Sequence, residues 1–447
     1  MRLILVDRLT EKRSHFYPLA LSRPIWELRC GMTSLGEKLV DKVQAADVAC
    51  FVPPYMAEVY RAATRRWGVC ADAIPAHRAV PGRPVNDPAS LAGDDLLVVA
   101  ARVKAAELNV EPVGPSQLAL DSDGEVLYAR IARSDLARLD TQSIDALLES
   151  ARRLLPVAEG HVPTWEYTWE LVLANPQQLR ADFAAAGRSG IEGRLEEPRA
   201  IRGSLRDVYV APGAVIHPLV VLDASQGPIY IDQDAEIQPF TRIEGPCYIG
   251  KKSILLGAKC REGNSIGPVC RIGGEVEESI IHGYSNKYHD GFLGHAYVGQ
   301  WVNLGAMTTN SDLKNDYSNV SVILDGRRPV DTGSTKVGAL IGDHTKTSIG
   351  TLLNTGAYVG AMALIATTGK LLPKFIPSFA WLLDGAVTKG FGRQKLYETA
   401  KAALQRRGCR WTPADEAMWN EIYNITKPAR DEAIQKGRRL LAASHRE

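Results

Sequence analysis

The chain has almost no net charge, no paired cysteine spacing and no long apolar run, and each of these absences removes a class of function. Lys+Arg 53 against Asp+Glu 51 leaves +2, too weak a field for nucleic acid or an anionic membrane surface. The seven cysteines (Cys30, Cys50, Cys70, Cys247, Cys260, Cys270 and Cys409) are odd in number and never spaced CxxC. Zinc-cluster and disulfide-scaffold readings both lose their main support. The apolar opening Met1 to Val6 is cut short by Asp7 and Arg8, well before the core of a secretory signal. Leu352 to Ile365 is broken by Asn354 and Gly356, and the next stretch contains Lys374 and Asp384, so neither reads as a membrane span. The expectation is a soluble, cytoplasmic protein that binds neither nucleic acid nor membrane.

What is present is an ordinary globular balance, 45% hydrophobic and 23% charged, over 447 residues. At about 150 residues per domain this predicts two or three domains. In the first 198 residues, short β-rich runs at Leu3–Val6, Val48–Val52 and Leu96–Val99 alternate with helical segments. That alternation predicts an α/β domain with a largely parallel sheet. Thr33 and Ser34 are suited to open a helix with Leu35, Leu39 and Val40 on one side, which places Lys38 near its first turns. The polar, glycine-containing stretch around Gly187 to Arg202 is the candidate linker.

From Val210 onward the texture changes to a six-residue beat. Val210, Ile216 and Leu222 are spaced by six, as are Ile231, Ile237 and Ile243, and the beat ends with Ile341, Thr347, Leu353, Val359 and Ile365. Small residues often sit four places later, as at Ala214, Ala235, Ser253 and Ala363, and Gly often follows the aliphatic, as at Gly250, Gly267 and Gly360. A helix demands apolar spacings of three and four, and a simple amphipathic strand demands two. A period of six predicts a parallel β-solenoid over residues 199–372, with one large side chain per face pointing inward and Gly relieving the turns. Residues 373–447 predict a helical tail docked on it: Leu396, Ala400, Ala403 and Leu404 have helical spacing, and Thr412-Pro413 with Asp415 is a cap for a further helix.

The beat is interrupted between about Glu275 and Gly294 and again from Asn310 to Lys336. Insertions of this kind are where solenoids carry binding and catalytic groups. Four of the nine histidines fall between His282 and His344, and His289 sits where the first interruption rejoins the repeat. A neutral imidazole there can take a proton from an amine or hydroxyl. The second interruption gathers Asn310, Asp312, Lys314 and Tyr317, a set suited to a polyhydroxylated anionic ligand. His344 and Lys346 form a third polar set. No metal site is expected among these residues.

The segment His289-Asp-Gly-Phe-Leu-Gly-His-Ala-Tyr-Val-Gly-Gln-Trp-Val-Asn-Leu-Gly-Ala306 resembles the catalytic-histidine segment of the bifunctional sugar nucleotidyltransferase/hexapeptide-repeat acetyltransferases. Pro18 to Lys38 and Trp169 to Pro176 resemble the divergent sugar nucleotidyltransferases of the same group. The resemblance implies a left-handed parallel β-helix, a homotrimer with sites between neighbouring solenoids, and His289 as general base. It further implies acceptor contacts at Asn303, cofactor contacts at Ala306, His344 and Lys346, and nucleotide phosphates held by Arg23, Arg29 and Lys38. Two features depart from it: no Gly-rich loop follows Leu5-Val-Asp-Arg8, and Ala100-Ala-Arg102 stands where relatives place a metal-binding Asp. Mg2+ is therefore called for only if the N-terminal domain transfers nucleotides. The expected activity is acyl-CoA-dependent, chiefly acetyl-CoA-dependent, N-acylation of a sugar phosphate or nucleotide sugar. The alternatives are a sugar-1-phosphate nucleotidyltransferase and a non-catalytic sugar-nucleotide-binding protein.

Overall fold

The computed structural model describes residues 1–65, 83–198, 200–366 and 369–444; Cys70 lies outside them. The three predicted runs form adjacent parallel strands, Asp47–Phe51, Arg2–Val6 and Leu96–Ala100, in that order across the sheet. Two antiparallel strands, Val126–Ile131 and then Gln117–Leu120, extend the sheet beyond Leu96–Ala100. The helix Leu35–Val43 opens as expected: Ser34 accepts the Glu37 amide while the Glu37 carboxylate accepts the Ser34 amide. This reciprocal cap satisfies two amides that the first helical turn leaves without partners.

The six-residue beat builds a parallel solenoid whose longest ladder has ten strands. One inward column runs Val210, Ile231, Ile249, Ile266, Ile281, Val298, Ile341, Val359 and Ile376 through registered pairs. All of these are buried, and the small residues four places after an aliphatic, such as Ala214, Ala235 and Ser253, are buried at the corners. The ladder begins at Gly190–Ile191, and its last coil closes in an antiparallel hairpin, Trp381–Leu383 with Ala386–Thr388. The expected boundaries at 198/199 and 372/373 thus fall inside the solenoid. The tail helix Lys427–Ser444 lies against the hairpin's outer strand Ala386–Thr388 and covers that edge.

Gly213, Gly350 and Gly356 take the turn with positive φ as expected, but the glycines directly after the aliphatic play a different part. Gly267 and Gly360 follow the aliphatic position with ordinary backbone angles, and a Cβ there would collide with the His282 carbonyl and the Ser378 amide of the next coil. They allow close stacking. The turn itself is made three residues after the aliphatic, where Leu219, Phe240, Lys252, Val269, Tyr284, Trp301, His344, Met362 and Phe379 all have positive φ. Side chains are therefore held at the corners despite the left-handed backbone.

One corner column is covered. Tyr284 stacks on Trp301 at 4.3 Å, Trp301 on His344 at 6.2 Å, and Trp419 meets both His344 and Phe379 edge-on. Trp419 belongs to the tail helix Pro413–Ile425, capped by Thr412 and Asp415 as predicted. The tail helix Lys427–Ser444 packs beside the closing hairpin, where a Cβ on Gly437 would strike the Val387 carbonyl. At another corner Phe240 is 75% exposed, and Leu219 and Met307 are also bare.

The first expected interruption proves to be part of the solenoid. Glu275 and Val276 pair with Phe292 and Leu293, and Ile272 pairs with Lys287. The beat fails there because a lysine occupies an inward position. The second interruption is a true excursion, carrying the antiparallel hairpin Ser321–Ile323 with Pro329–Asp331.

Candidate active site

Each of the four clustered histidines has a distinct environment. His282 is buried against the N-terminal domain, its Nε2 2.9 Å from the Glu27 carbonyl. His344 is buried between Trp301 and the tail, its Nδ1 without a hydrogen-bond partner, and burial pushes its pKa well down. His295 is 3% exposed, with Nδ1 2.8 Å from Asp312 and Nε2 3.4 Å from Glu278. Burial opposes its charge, but the two carboxylates prevail and raise its pKa to about 9. It is a buried imidazolium. His289 differs from all three: it is exposed, on the bend between Asn286–Lys287 and Phe292–Gly294. The Tyr288 ring lies edge-on to it at 5.9 Å.

That bend is tied down on two sides. The amide of Met307 donates to the Asp290 carbonyl at 2.8 Å. From the solenoid interior, the Lys287 ammonium donates to the Gly273 and His289 carbonyls at 3.0 and 2.7 Å. Sequence reasoning missed Lys287 because it is a polar residue at an inward position, although it stands six residues after Ile281 and six before Leu293.

The acceptor-loop residues separate. Asn310 is buried and inward-facing, accepting from the Gly294 amide and donating to the Gly294 carbonyl, both at 2.9 Å. Its amide joins neighbouring coils and is unavailable to a ligand. Asp312 is committed to His295. Lys314 donates to the Asn319 carbonyl within its own loop, and Tyr317 stands 72% exposed at the loop tip. Asn303 is exposed, its Oδ1 accepting from Asn286 at 3.2 Å. Ala306 is half-buried and gives its carbonyl to the Gly350 amide. Lys346 turns its ammonium to the carbonyls of Trp301 and His344, and burial lowers its pKa to about 8. The structure therefore keeps Asn303, Ala306 and Tyr317 open near the surface and withdraws Asn310, His344 and Lys346.

Beneath the excursion, Glu277, Glu278 and His295 bring ligand-type atoms within 4.8 Å of one another. Arg261 and Lys336 both pair with Glu277, at 2.7 and 3.3 Å. With a charged His295 as well, this is an ion-pair network and not a vacant metal centre.

The nucleotide side is corrected more sharply. Arg23 is buried and paired with Asp343 of the solenoid, which also accepts from Ser22 at 2.6 Å and from the Gln300 amide at 2.7 Å. Arg29 is buried, donating to the Met32 carbonyl at 2.7 Å and lying over the Tyr248 ring, and its backbone amide donates to Tyr297 Oη at 2.7 Å. Lys38 is paired with Asp182. These cations hold the N-terminal domain together or clasp it to the solenoid, and none is presented to a phosphate. The second motif serves the same clasp: buried Asn175 accepts from the Gly31 amide and Ser265 hydroxyl and donates to the Gly263 carbonyl. Arg102, at the end of its strand, pairs with Asp121, Glu125 and Glu166, while Lys12 pairs with Asp121 and Asp123. Cationic side chains already stand among these carboxylates, so the set does not fit a Mg2+ ion.

Among the described residues no free thiol is placed as a nucleophile: Cys30, Cys50, Cys247, Cys260 and Cys270 are buried, which raises their pKa, to about 12 for all but Cys247, and Cys409 is disulfide-bonded.

Comparison with known proteins agrees with this two-part architecture. Residues 3–189 match the model of the sugar nucleotidyl transferase family. It is 37% identical over 152 residues to a bifunctional sugar-1-phosphate nucleotidylyltransferase/acetyltransferase of Sulfurisphaera tokodaii, covering 31% of this chain and 35% of that one. It is 25% identical over 261 residues to the bifunctional protein GlmU of Bordetella parapertussis, covering 54% and 52%. It is 27% identical over 189 residues to GlmU of Synechococcus elongatus, covering 42% and 32%. The matched segments span about a third to a half of these relatives. Among the described residues, no helix is long and apolar enough to cross a membrane.

Proposed function

We propose that the protein is an acyl-CoA-dependent N-acyltransferase, acetyl-CoA being the favoured donor, acting on an amino-sugar phosphate or nucleotide sugar with His289 as general base. The observation that carries this reading is the contrast among the histidines: three are buried and engaged, and His289 alone of the four is exposed on a bend secured from two sides. In the proposed reaction its imidazole takes a proton from the acceptor amine as nitrogen attacks the thioester carbonyl. The tetrahedral oxyanion then collapses, expelling the thiolate, which leaves as a thiol once protonated. Asn303, Ala306 and Tyr317 are the proposed ligand contacts. The similarity to bifunctional nucleotidylyltransferase/acetyltransferases supports both the reaction class and the choice of a sugar acceptor.

A homotrimer belongs to the same reading. The exposed apolar side chains of Leu219, Phe240 and Met307, on one corner of the solenoid, support it, because such surface favours burial against a second copy. Nucleotidyl transfer is the second reading, supported by the match of residues 3–189 to the sugar nucleotidyl transferase family, but the engagement of Arg23, Arg29, Lys38 and Arg102 weighs against it. The deciding experiment follows thiol release from acetyl-CoA with a panel of amino-sugar phosphates, alongside pyrophosphate release from nucleoside triphosphate and sugar 1-phosphate. Thiol release abolished in His289→Ala supports the acyltransferase reading. Thiol release at the wild-type rate overturns it.

A further inference from the structure

Lys287 is the one charged side chain in its inward column from Ile237 to Leu382. Its registered neighbour is Ile272, and the column carries Ile237 and Leu255 in earlier coils and Leu304, Thr347, Ile365 and Leu382 in later ones. The residue is 3% exposed, and among the described residues its ammonium bonds to no carboxylate. Burying such a group carries a desolvation penalty that an isoleucine would not incur. Burial accordingly lowers its pKa to about 8. A position that favours an aliphatic residue on every count of stability holds a lysine whose two bonds lead to the carbonyls of Gly273 and His289.

The surroundings are shaped for that reach. Gly274 has φ +65, and a Cβ on it would lie 2.8 Å from the Lys287 nitrogen and 2.9 Å from Asp290 Cα. The glycine leaves the channel through which the ammonium meets the bend. The backbone ties on the bend, from the Met307 amide to the Asp290 carbonyl at 2.8 Å and from the Glu275 amide to the Gly291 carbonyl at 3.2 Å, both fall on the far side of His289.

Building on the assignment of His289 as base, we propose that Lys287 is a positioning residue, holding the His289 bend from inside the solenoid so that the imidazole meets the acceptor amine in one fixed orientation. It touches no reacting atom. Its effect comes through the His289 main chain, where a displacement of about 1 Å is enough to cost roughly 10²-fold in rate.

The test is Lys287→Met, which supplies the apolar side chain the column favours. The expected result is a melting temperature equal to or above that of the parent protein, with kcat lowered by about 10- to 100-fold and KM for both substrates changed less than about twofold. Amide exchange at residues 288–291 should accelerate, and His289→Ala combined with Lys287→Met should be no slower than His289→Ala alone. Lys287→Gln, examined in parallel, guards against a folding defect peculiar to methionine. Unchanged kcat and unchanged exchange overturn the proposal. So does a lowered melting temperature in both variants, which would make the lysine a structural residue. Should His289→Ala retain turnover, the base assignment fails by itself, and exchange at 288–291 in Lys287→Met still reports the tether.

Discussion

In the N-terminal domain, the cations that the sequence marks for phosphate are turned onto the protein itself: Arg23 onto Asp343, Lys38 onto Asp182, and Arg29 onto the Met32 carbonyl and the Tyr248 ring. In the solenoid the marked histidine is left open, and the groups around it are spent on fixing its backbone. Both regions carry motifs like those of related enzymes. The difference shows that residue type and spacing nominate a site, while the partners already satisfied within the fold decide whether the nominated groups can act.

That contrast can be broken most directly at His289. Replacement by Ala should lower thiol release by about 10²- to 10⁴-fold, the usual worth of a positioned general base, with an unchanged melting temperature. On the other side, Arg23→Met leaves Asp343 buried without its partner and should destabilise the molecule by about 3 to 5 kcal/mol in urea titrations. Loss of nucleotide affinity with stability intact would instead return Arg23 to the phosphate role.

A pH titration sharpens the picture around the excursion. His295 has a folded pKa raised to about 9 by Asp312 and Glu278 against the opposing effect of burial, compared with 6.5 for an unperturbed imidazole. Its contribution is fully present below about pH 6.5 and is lost as pH rises through about 9, a change of about 3 kcal/mol. Urea midpoints measured from pH 6 to 10 should fall over that window, and His295→Gln should flatten the fall. The smallest effect lies in the tail, where Thr412→Ala removes a cap and should cost about 1 kcal/mol, visible as a shift in thermal midpoint with activity unaltered.

Much of the architecture could be read from residue order. Three parallel strands, the Ser34 and Thr412 caps and the aliphatic columns rest on local pattern, and local pattern survives folding. The antiparallel strands Gln117–Leu120 and Val126–Ile131 escaped because their pairing depends on contacts between segments. Lys287 and Asn310 escaped for a sharper reason: both are polar residues at inward positions, where periodicity assigns apolar side chains, so each reads as an interruption or a ligand loop. Arg23 and Arg29 were legible as important residues but not as interdomain ones, since their partners Asp343 and Tyr297 lie some three hundred residues away in sequence. His289 could be nominated from sequence because the segment that carries the resemblance is local.

The clasp formed by Arg23, Asn175, Ser265 and Asp343 bears on how the protein can be divided. Cutting the gene near the linker would yield two fragments with charged and amide groups torn from their mates, each carrying a raw interior face into water. Neither half should be recoverable alone in native form. Any evolutionary gain or loss of activity in one half has therefore had to occur with the other half still attached.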